Sequence, residues 1–509
     1  MVARVKCRHA ISLLLGALLP TLASAESAPS APPVGSAERD APARPLTLLA
    51  AAQEATRTNQ GLLVSRLDAR RAALNVPATH GAFLPLLRVS TTASDLKGPR
   101  TALPDVRALD GKAEVRYESP FGTQAGVAVT HRMADETPTS LMPPNPSRGA
   151  GVSLDVTQPI LQGAGRAGTG SALREAEVEA RLQGALYLQT LDDFLAEVDA
   201  AYWDLALAQA DVEIRTRSRD RARTQADETN ENIRRGLLAT TEAYIVEESL
   251  DSFEQALVEA EETRAQAASR LSRLLELPPG TDVTATESLS TAGGAESAPP
   301  PLTAAVETAL AQSPALHGAR LALEREHVRL AYTEDRALPT LDLSATLALN
   351  GFADGTAGAF GDLSTSRNRA LTAGLLFSLP LLPDGQDAAV ERGRLAVAQQ
   401  VAGLSRAETD LRYKLADTLR ARAAHGKGLT LARQVVKLSE LKLTAERQKY
   451  QSGLSTLADV VRFQRELDQA LLDEQRALRS LRDDETHLLS LEGALHTARG
   501  LTLDDEAAP

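Results

Sequence analysis

No proline occurs between Ile160 and Leu277, nor between Asp384 and Ala508. Proline ends helices because it lacks an N–H and clashes with the preceding turn. Within these runs, Ala172 to Ile233 and Ala388 to Tyr450 read as nearly unbroken helices. At the usual rise per residue each extends roughly 90 Å. A globular domain has little use for such helices, whereas a coiled-coil tube does. The helices that follow carry apolar residues at spacings of three and four: Val246, Leu250, Phe253, Leu257 and Ala260 in one, and Val460, Phe463, Leu467 and Ala470 in the other. That spacing suits coiled-coil packing. "AHGKG" at Ala424 sets two glycines inside the second long helix. Each costs about 1 kcal/mol relative to alanine, and a bend is the one account the sequence suggests.

Most of the chain is said twice. "PLTLLAAAQEA" at Pro45 is answered by "PLTAAVETALA" at Pro301, and "FLPLLRVS" at Phe83 by "ALPTLDLS" at Ala337. "TQPILQ" at Thr157 is answered by "SLPLLP" at Ser378, and "RGLLATTEAYIVEESL" at Arg235 by "SGLSTLADVVRFQREL" at Ser452. The order is kept, so this is an internal duplication, and two long copies do not make a solenoid. The expected organisation is a signal peptide at 1–25, a flexible leader at 26–45 and a first repeat at 46–284. The first repeat contains a helix, strands near 86–96 and 150–160 and a long helical hairpin at 171–277. A Pro, Ala and Ser-rich linker at 285–301 leads into a second repeat at 302–499, followed by a tail at 500–509. The second repeat has a helix, strands near 340–350 and 369–380 and a hairpin at 386–495.

The strands alternate with period two. In "LDLSATLALN", Leu341, Leu343, Ala345, Leu347 and Leu349 share one face, and Asp342, Ser344, Thr346 and Asn350 the other. Leu371, Ala373, Leu375, Phe377 and Leu379, and Val152, Leu154 and Val156, repeat the pattern. Such segments suit transmembrane β-strands with one face to lipid and one to a watery lumen. The same pattern also describes a half-buried strand of a soluble sheet.

The start of the chain speaks to location. Arg4, Lys6 and Arg8 precede the apolar "ISLLLGALL", and Ala23-Ser24-Ala25 forms a small-residue cleavage box. This is the pattern of a secretory signal. Cys7, the single cysteine, lies inside it, so neither a disulfide nor a cysteine metal site is expected in the mature chain. No later stretch is long and apolar enough for a membrane helix. An exported chain of this kind is periplasmic, secreted or an outer membrane β-barrel. A net charge of −12 argues against a nucleic-acid partner.

"QGAGRAG", from Gln162 to Gly168, fits the G-x-G-x-x-G dinucleotide template. That fold needs a short helix and then a second strand, with an acidic residue about 20 positions on. No strand follows here for over a hundred residues, and "PLLPDGQDAAV" in the second half lacks the template. Pro159, Gly163, Gly165 and, in the second half, Pro380 instead read as flexible strand-to-helix junctions. The eight histidines make no H-E-x-x-H, and no Walker or nucleophile-elbow motif occurs. Neither a cofactor nor catalysis is expected.

These elements resemble the TolC-like outer membrane efflux protein family, over about Leu46 to Ala494. "SLDVTQPILQGAGR" looks like its strand-to-helix junction, "AYWDLALAQ" at Ala201 like its first long helix, and "RRGLLATTEA" and "YQSGLSTLADVV" like its two hairpin tips. The resemblance implies a mixed α and β fold: long antiparallel helical hairpins forming a trimeric α-barrel tunnel, plus a transmembrane β-barrel of about four strands per protomer. It also implies a homotrimer in the outer membrane whose tunnel crosses the periplasm to a periplasmic adaptor protein and an inner membrane pump. Tyr450, with Glu242 and Thr241, matches a latch holding the entrance shut. Asp459 matches the first acid of a selectivity ring, and Arg462 stands where a second acid can occur. Gly236-Leu237 and Gly453-Leu454 match the adaptor-contacting tips. One departure is the segment from Ser94 to Gly149, which holds "AEVRYESPFGTQAGVAVTH" and reads either as an elaborated outer loop or as extra barrel strands. The competing functional readings are a soluble periplasmic coiled-coil scaffold and an exported enzyme using the glycine motif.

Overall fold

The computed structural model describes residues 44–97, 106–136, 148–290, 300–365 and 367–501. The signal peptide and most of the leader lie outside the described residues. In chain order the elements are β1 (Arg44–Leu46), α1 (Leu48–Thr58), α2 (Gln60–His80), β2 (Leu86–Leu96), β3 (Val106–Glu118), β4 (Gln124–Glu136), β5 (Arg148–Pro159), α3 (Ser171–Arg234) and α4 (Thr241–Leu274). The second half continues with β6 (Val283–Ala285), α5 (Leu302–Gln312), α6 (Pro314–Arg336), β7 (Thr340–Ala353), α7 (Thr356–Leu363), β8 (Asn368–Ser378), α8 (Asp384–Gln451), α9 (Leu457–Glu492) and α10 (Leu495–Ala498).

The long helices are the skeleton. α3 has 64 residues and α8 has 68. Each folds back against its successor, α3 on α4 and α8 on α9, and α3 also packs on α2, α6 and α9. Val246, Phe253, Leu257 and Ala260 of α4 are buried, as are Val460, Leu467 and Ala470 of α9. α8 runs unbroken through Gly426 and Gly428, and a Cβ at either position would meet open space. Their cost therefore falls on helix propensity alone. No described helix is long and apolar enough to cross a membrane.

The main core lies where "AYWDLALAQ" passes between the repeats. Tyr202, Trp203 and Leu205 of α3 meet Leu271 of α4, Leu478 and Leu481 of α9, and Leu46, Val283 and Leu289. The Tyr202 and Trp203 rings meet edge to face at 5.2 Å, and the Arg482 guanidinium lies over the Trp203 ring at 5.3 Å. The linker read at 285–301 begins inside this core, through Leu289 and the Glu287 backbone. β6 pairs in parallel with β1, at the edge of the expected leader. The Tyr202 hydroxyl donates to the Leu46 carbonyl at 3.1 Å and accepts from the Glu287 N–H at 3.2 Å. Three-residue strands are too short to show a period, which is why the pattern did not reveal them.

The six remaining strands form one antiparallel sheet in the order β2-β3-β4-β5-β7-β8. Four of them, β2, β5, β7 and β8, are those expected. β3 and β4 come from the departing segment, which decides between its two readings: the count of four per protomer is corrected to six. Alternation holds through the middle of the sheet and gives way at the rim away from the helices, where Arg107 with Asp95 and Arg148 with Asp135 pair on the otherwise apolar face. Leu87, Val115, Val127, Leu154, Leu347 and Leu371 follow one another from strand to strand on one face and are all exposed. The other face carries ion pairs, Arg88 and Lys112 with Glu114 and Arg132 with Asp110. At the rim away from the helices, α7 folds onto β5 and β7, and its Phe360 ring sits 5.4 Å from that of His131.

Candidate entrance site at the hairpin tips

The two hairpins turn in the same way. At the end of α3, Gly236 has φ +72, its N–H donates to Ile233 and the Leu237 N–H donates to Asn232. At the end of α8, Gly453 has φ +74, its N–H donates to Tyr450 and the Leu454 N–H donates to Lys449. Glycine favours this left-handed helix ending because it has no Cβ to clash. The motif pushes the following leucines outward, and Leu237 and Leu454 are 69% and 79% exposed.

A cleft of about 890 Å³ opens between the tips, lined among others by Arg221, Glu228, Glu242, Arg447, Tyr450 and Leu457. Tyr450 bridges the hairpins. Its ring packs with Ala226, Val246 and Leu457, residues of α3, α4 and α9. Its pKa is raised first by burial, then by the Glu242 carboxylate, while a hydrogen bond with Thr229 pulls the other way. Thr229 of α3, almost wholly buried and accepting from Gln225 at 3.4 Å, is thus the hydroxyl beside Tyr450, a residue the sequence did not single out. Glu242 acts through its charge. Thr241 is exposed at the first turn of α4. No local signal marks Thr229, because it reaches Tyr450 across the packing of two hairpins. Arg447 is a second unforeseen member: burial lowers its pKa, with Arg221 beside it adding repulsion.

Asp459 has local work. Thr456 caps α9, accepting from the Asp459 N–H at 3.3 Å, and its hydroxyl donates to the Asp459 carboxylate at 2.6 Å. Arg462 pairs with the same carboxylate at 3.0 Å and lies over the Phe463 ring at 5.0 Å. The bond from Thr456, followed by the charge of Arg462, lowers the Asp459 pKa. The acid and the base at this level therefore form a pair. Removing the base should unmask the acid. If this pair lines an ion path, Arg462→Ala is expected to shift the reversal potential of the reconstituted protein towards cations and Asp459→Asn to shift it away. An unchanged potential in Arg462→Ala would remove this pair from the ion path.

The glycine fingerprint holds the opposite end of α3. Gly163 and Gly165 have φ +82 and +71. The Gly163 N–H donates to buried Asp335 at 2.9 Å and the Gly165 N–H to the Phe121 carbonyl at 2.9 Å. Phe121 belongs to the turn joining β3 to β4. A Cβ on Gly170 would lie 2.7 Å from the Pro120 carbonyl oxygen, and one on Gly168 would lie 2.5 Å from the Gly163 backbone. The glycines thus form a seat for the β3–β4 turn. The strand-to-helix junction expected here is hydrogen-bonded on both sides. Pro159 is the last residue of β5, and Pro380 follows β8 in an exposed connection. Among the described residues no group of three or more His, Cys, Asp or Glu could hold a metal ion.

Residues 305–494 match the model of the outer membrane efflux protein family. No curated protein matches the sequence. Solved structures share the fold over most of its length. The Campylobacter jejuni CmeC outer membrane channel is 14% identical with a TM-score of 0.58, covering 88% of this chain and 85% of that one. The open state of the Neisseria gonorrhoeae MtrE outer membrane channel is 16% identical with a TM-score of 0.61, covering 88% and 89%. The outer membrane protein VceC from Vibrio cholerae is 16% identical with a TM-score of 0.58, covering 90% and 97%.

Proposed function

We propose that this chain, whose residues 305–494 match the model of the outer membrane efflux protein family, is a member of that family and the passive exit duct of a tripartite efflux or type I secretion system. One observation carries the reading. A single chain joins an antiparallel sheet with an exposed apolar band across all six strands to hairpins built on helices of 64 and 68 residues. Lipid is the solvent that such a face needs, and a closed barrel is the only way a sheet satisfies its backbone there. A soluble periplasmic scaffold would leave that face in water.

On this reading the duct is a homotrimer in the outer membrane, and its helices reach through the periplasm. The tips meet a periplasmic adaptor joined to an inner membrane pump. Tyr450, with Thr229 and Glu242, forms the latch. Gly236-Leu237 and Gly453-Leu454 are the adaptor contacts. The test is fractionation of cells expressing the full chain, with measurement of heat-modifiable oligomers and of export in a strain lacking its own duct. Recovery in the outer membrane with restored export is expected; recovery in the soluble periplasm overturns the reading.

Two variants probe the site. A hydroxyl bond contributes about 1 kcal/mol, so three copies of Tyr450→Phe favour the open entrance by roughly a hundredfold. Single-channel recording should show long openings where the parent is mostly shut, and equal open times would remove the latch. Burying a leucine contributes about 1.5–3 kcal/mol. Leu237→Asp with Leu454→Asp should therefore weaken adaptor capture at least roughly tenfold while oligomers persist. Unchanged capture would place the contact elsewhere.

A further inference from the structure

We propose that the membrane wall is an eighteen-stranded barrel, closed by three copies of this chain with β8 of one protomer pairing along β2 of the next. The three-fold count rests on the function proposed above; the rest stands on the sheet itself. Six strands are too few to close, since the smallest membrane barrels need about eight. The sheet therefore keeps two edges, β2 and β8, each of 11 residues. A long apolar edge is a hazard unless another strand covers it. Both edges carry the apolar face outward, through Leu87 and Val89 on one and Leu371, Leu375 and Phe377 on the other.

The parity of the sheet names the occupant. All five ladders are antiparallel and the strand number is even, so β2 and β8 run in opposite directions. Copies set head to tail then meet in a further antiparallel ladder, with apolar faces aligned. The added strands are full members of the wall. β3 and β4 have 13 residues each and pair along their whole length with one another. Their turn is keyed into the base of α3 by the Gly165 to Phe121 bond and by the close approach of Gly122 to Gly163 and Pro159.

The dimensions agree. Eighteen strands about 4.8 Å apart and tilted by about 40° give a wall roughly 36 Å across, whereas twelve give roughly 24 Å. Three copies of α3, α4, α8 and α9, with axes about 9 Å apart, make a tube roughly 34 Å across. The wider barrel continues the helical tube without a constriction, and the exit admits cargo as broad as the tunnel carries.

Electron cryo-microscopy of the membrane-extracted full chain in lipid nanodiscs counts the strands. Eighteen around a three-fold axis are expected. Twelve overturn the proposal, either in a trimer with the β3–β4 hairpin outside the wall or in a dimer. Cysteine pairs provide a second measurement, since Cys7 is the only native cysteine. Thr91→Cys combined in turn with Leu371→Cys, Ala373→Cys or Leu375→Cys should give covalent trimers on oxidation for at least one register. Val89→Cys with Ala113→Cys should link within one chain. Failure of this internal pair in intact membrane trimers overturns the six-stranded protomer, whereas absence of any membrane oligomer fails the duct reading instead.

Discussion

Gly122→Val is expected to abolish the stable pore. Gly122 has φ +90, and a Cβ there would stand 2.5 Å from the Gly163 carbonyl oxygen and 2.6 Å from Pro159 Cγ. The left-handed conformation costs a residue with a side chain about 1–2 kcal/mol, and the overlap adds about 1–3 kcal/mol more. The neighbours are backbone and a proline ring, which cannot swing aside. Losing the turn also unseats β3 and β4, so the cost spreads to the sheet. Gly165→Asn is the control. It shares the positive φ, but a Cβ there meets nothing within 4 Å. Asparagine tolerates that conformation. Heat-modifiable oligomers should be lost in the first variant and kept in the second, and equal yields would refute the seat.

Arg499→Met is expected to destabilise the chain by about 3–5 kcal/mol, the usual cost of leaving one buried charge without its partner. Asp199 of α3 is fully buried, and Arg499 pairs with its carboxylate at 2.5 Å. Thr486 of α9 donates to the same carboxylate at 3.1 Å. Burial raises the Asp199 pKa, and the hydrogen bond and charge of Arg499 oppose that rise more strongly than Thr486 does. An acid whose folded pKa is raised gives most stability below its unfolded pKa and loses it as pH rises through the folded one. Removing Arg499 lifts that folded pKa further and widens the window. The deficit should therefore be large at neutral pH and shrink on acidification. Asp199→Asn in the Arg499→Met background should recover part of it. Thermal unfolding across pH 4 to 8 (roughly the range between the two limits) reads both effects. A pH-independent deficit would mean that lost packing, not charge, is responsible.

Much of this was legible in the chain. The long helices follow from the absence of proline and from apolar residues three and four apart. The strands from Leu341 and Leu371 follow from alternation, because a sheet with one apolar and one polar face writes its period into the sequence. The tips follow from Gly236 and Gly453, since a left-handed helix ending selects glycine locally. These are properties of neighbours along the chain, and periodicity reads neighbours well.

What tertiary structure decided lies across long separations. β1 and β6 pair over more than two hundred residues, with too few positions to show a period. Thr229 meets Tyr450 only because two hairpins pack side by side. The segment after Ser94 alternates, yet alternation alone does not tell a strand of the wall from a strand of a loop; pairing with β2 and β5 decides it. The glycine fingerprint shows the difference most sharply. Its spacing matches a phosphate cradle, but its space is taken by the Ser119–Thr123 turn of the chain's own hairpin. A glycine records that something comes close to the backbone. Which group comes close is set by the packing of distant strands, and only the folded chain states it.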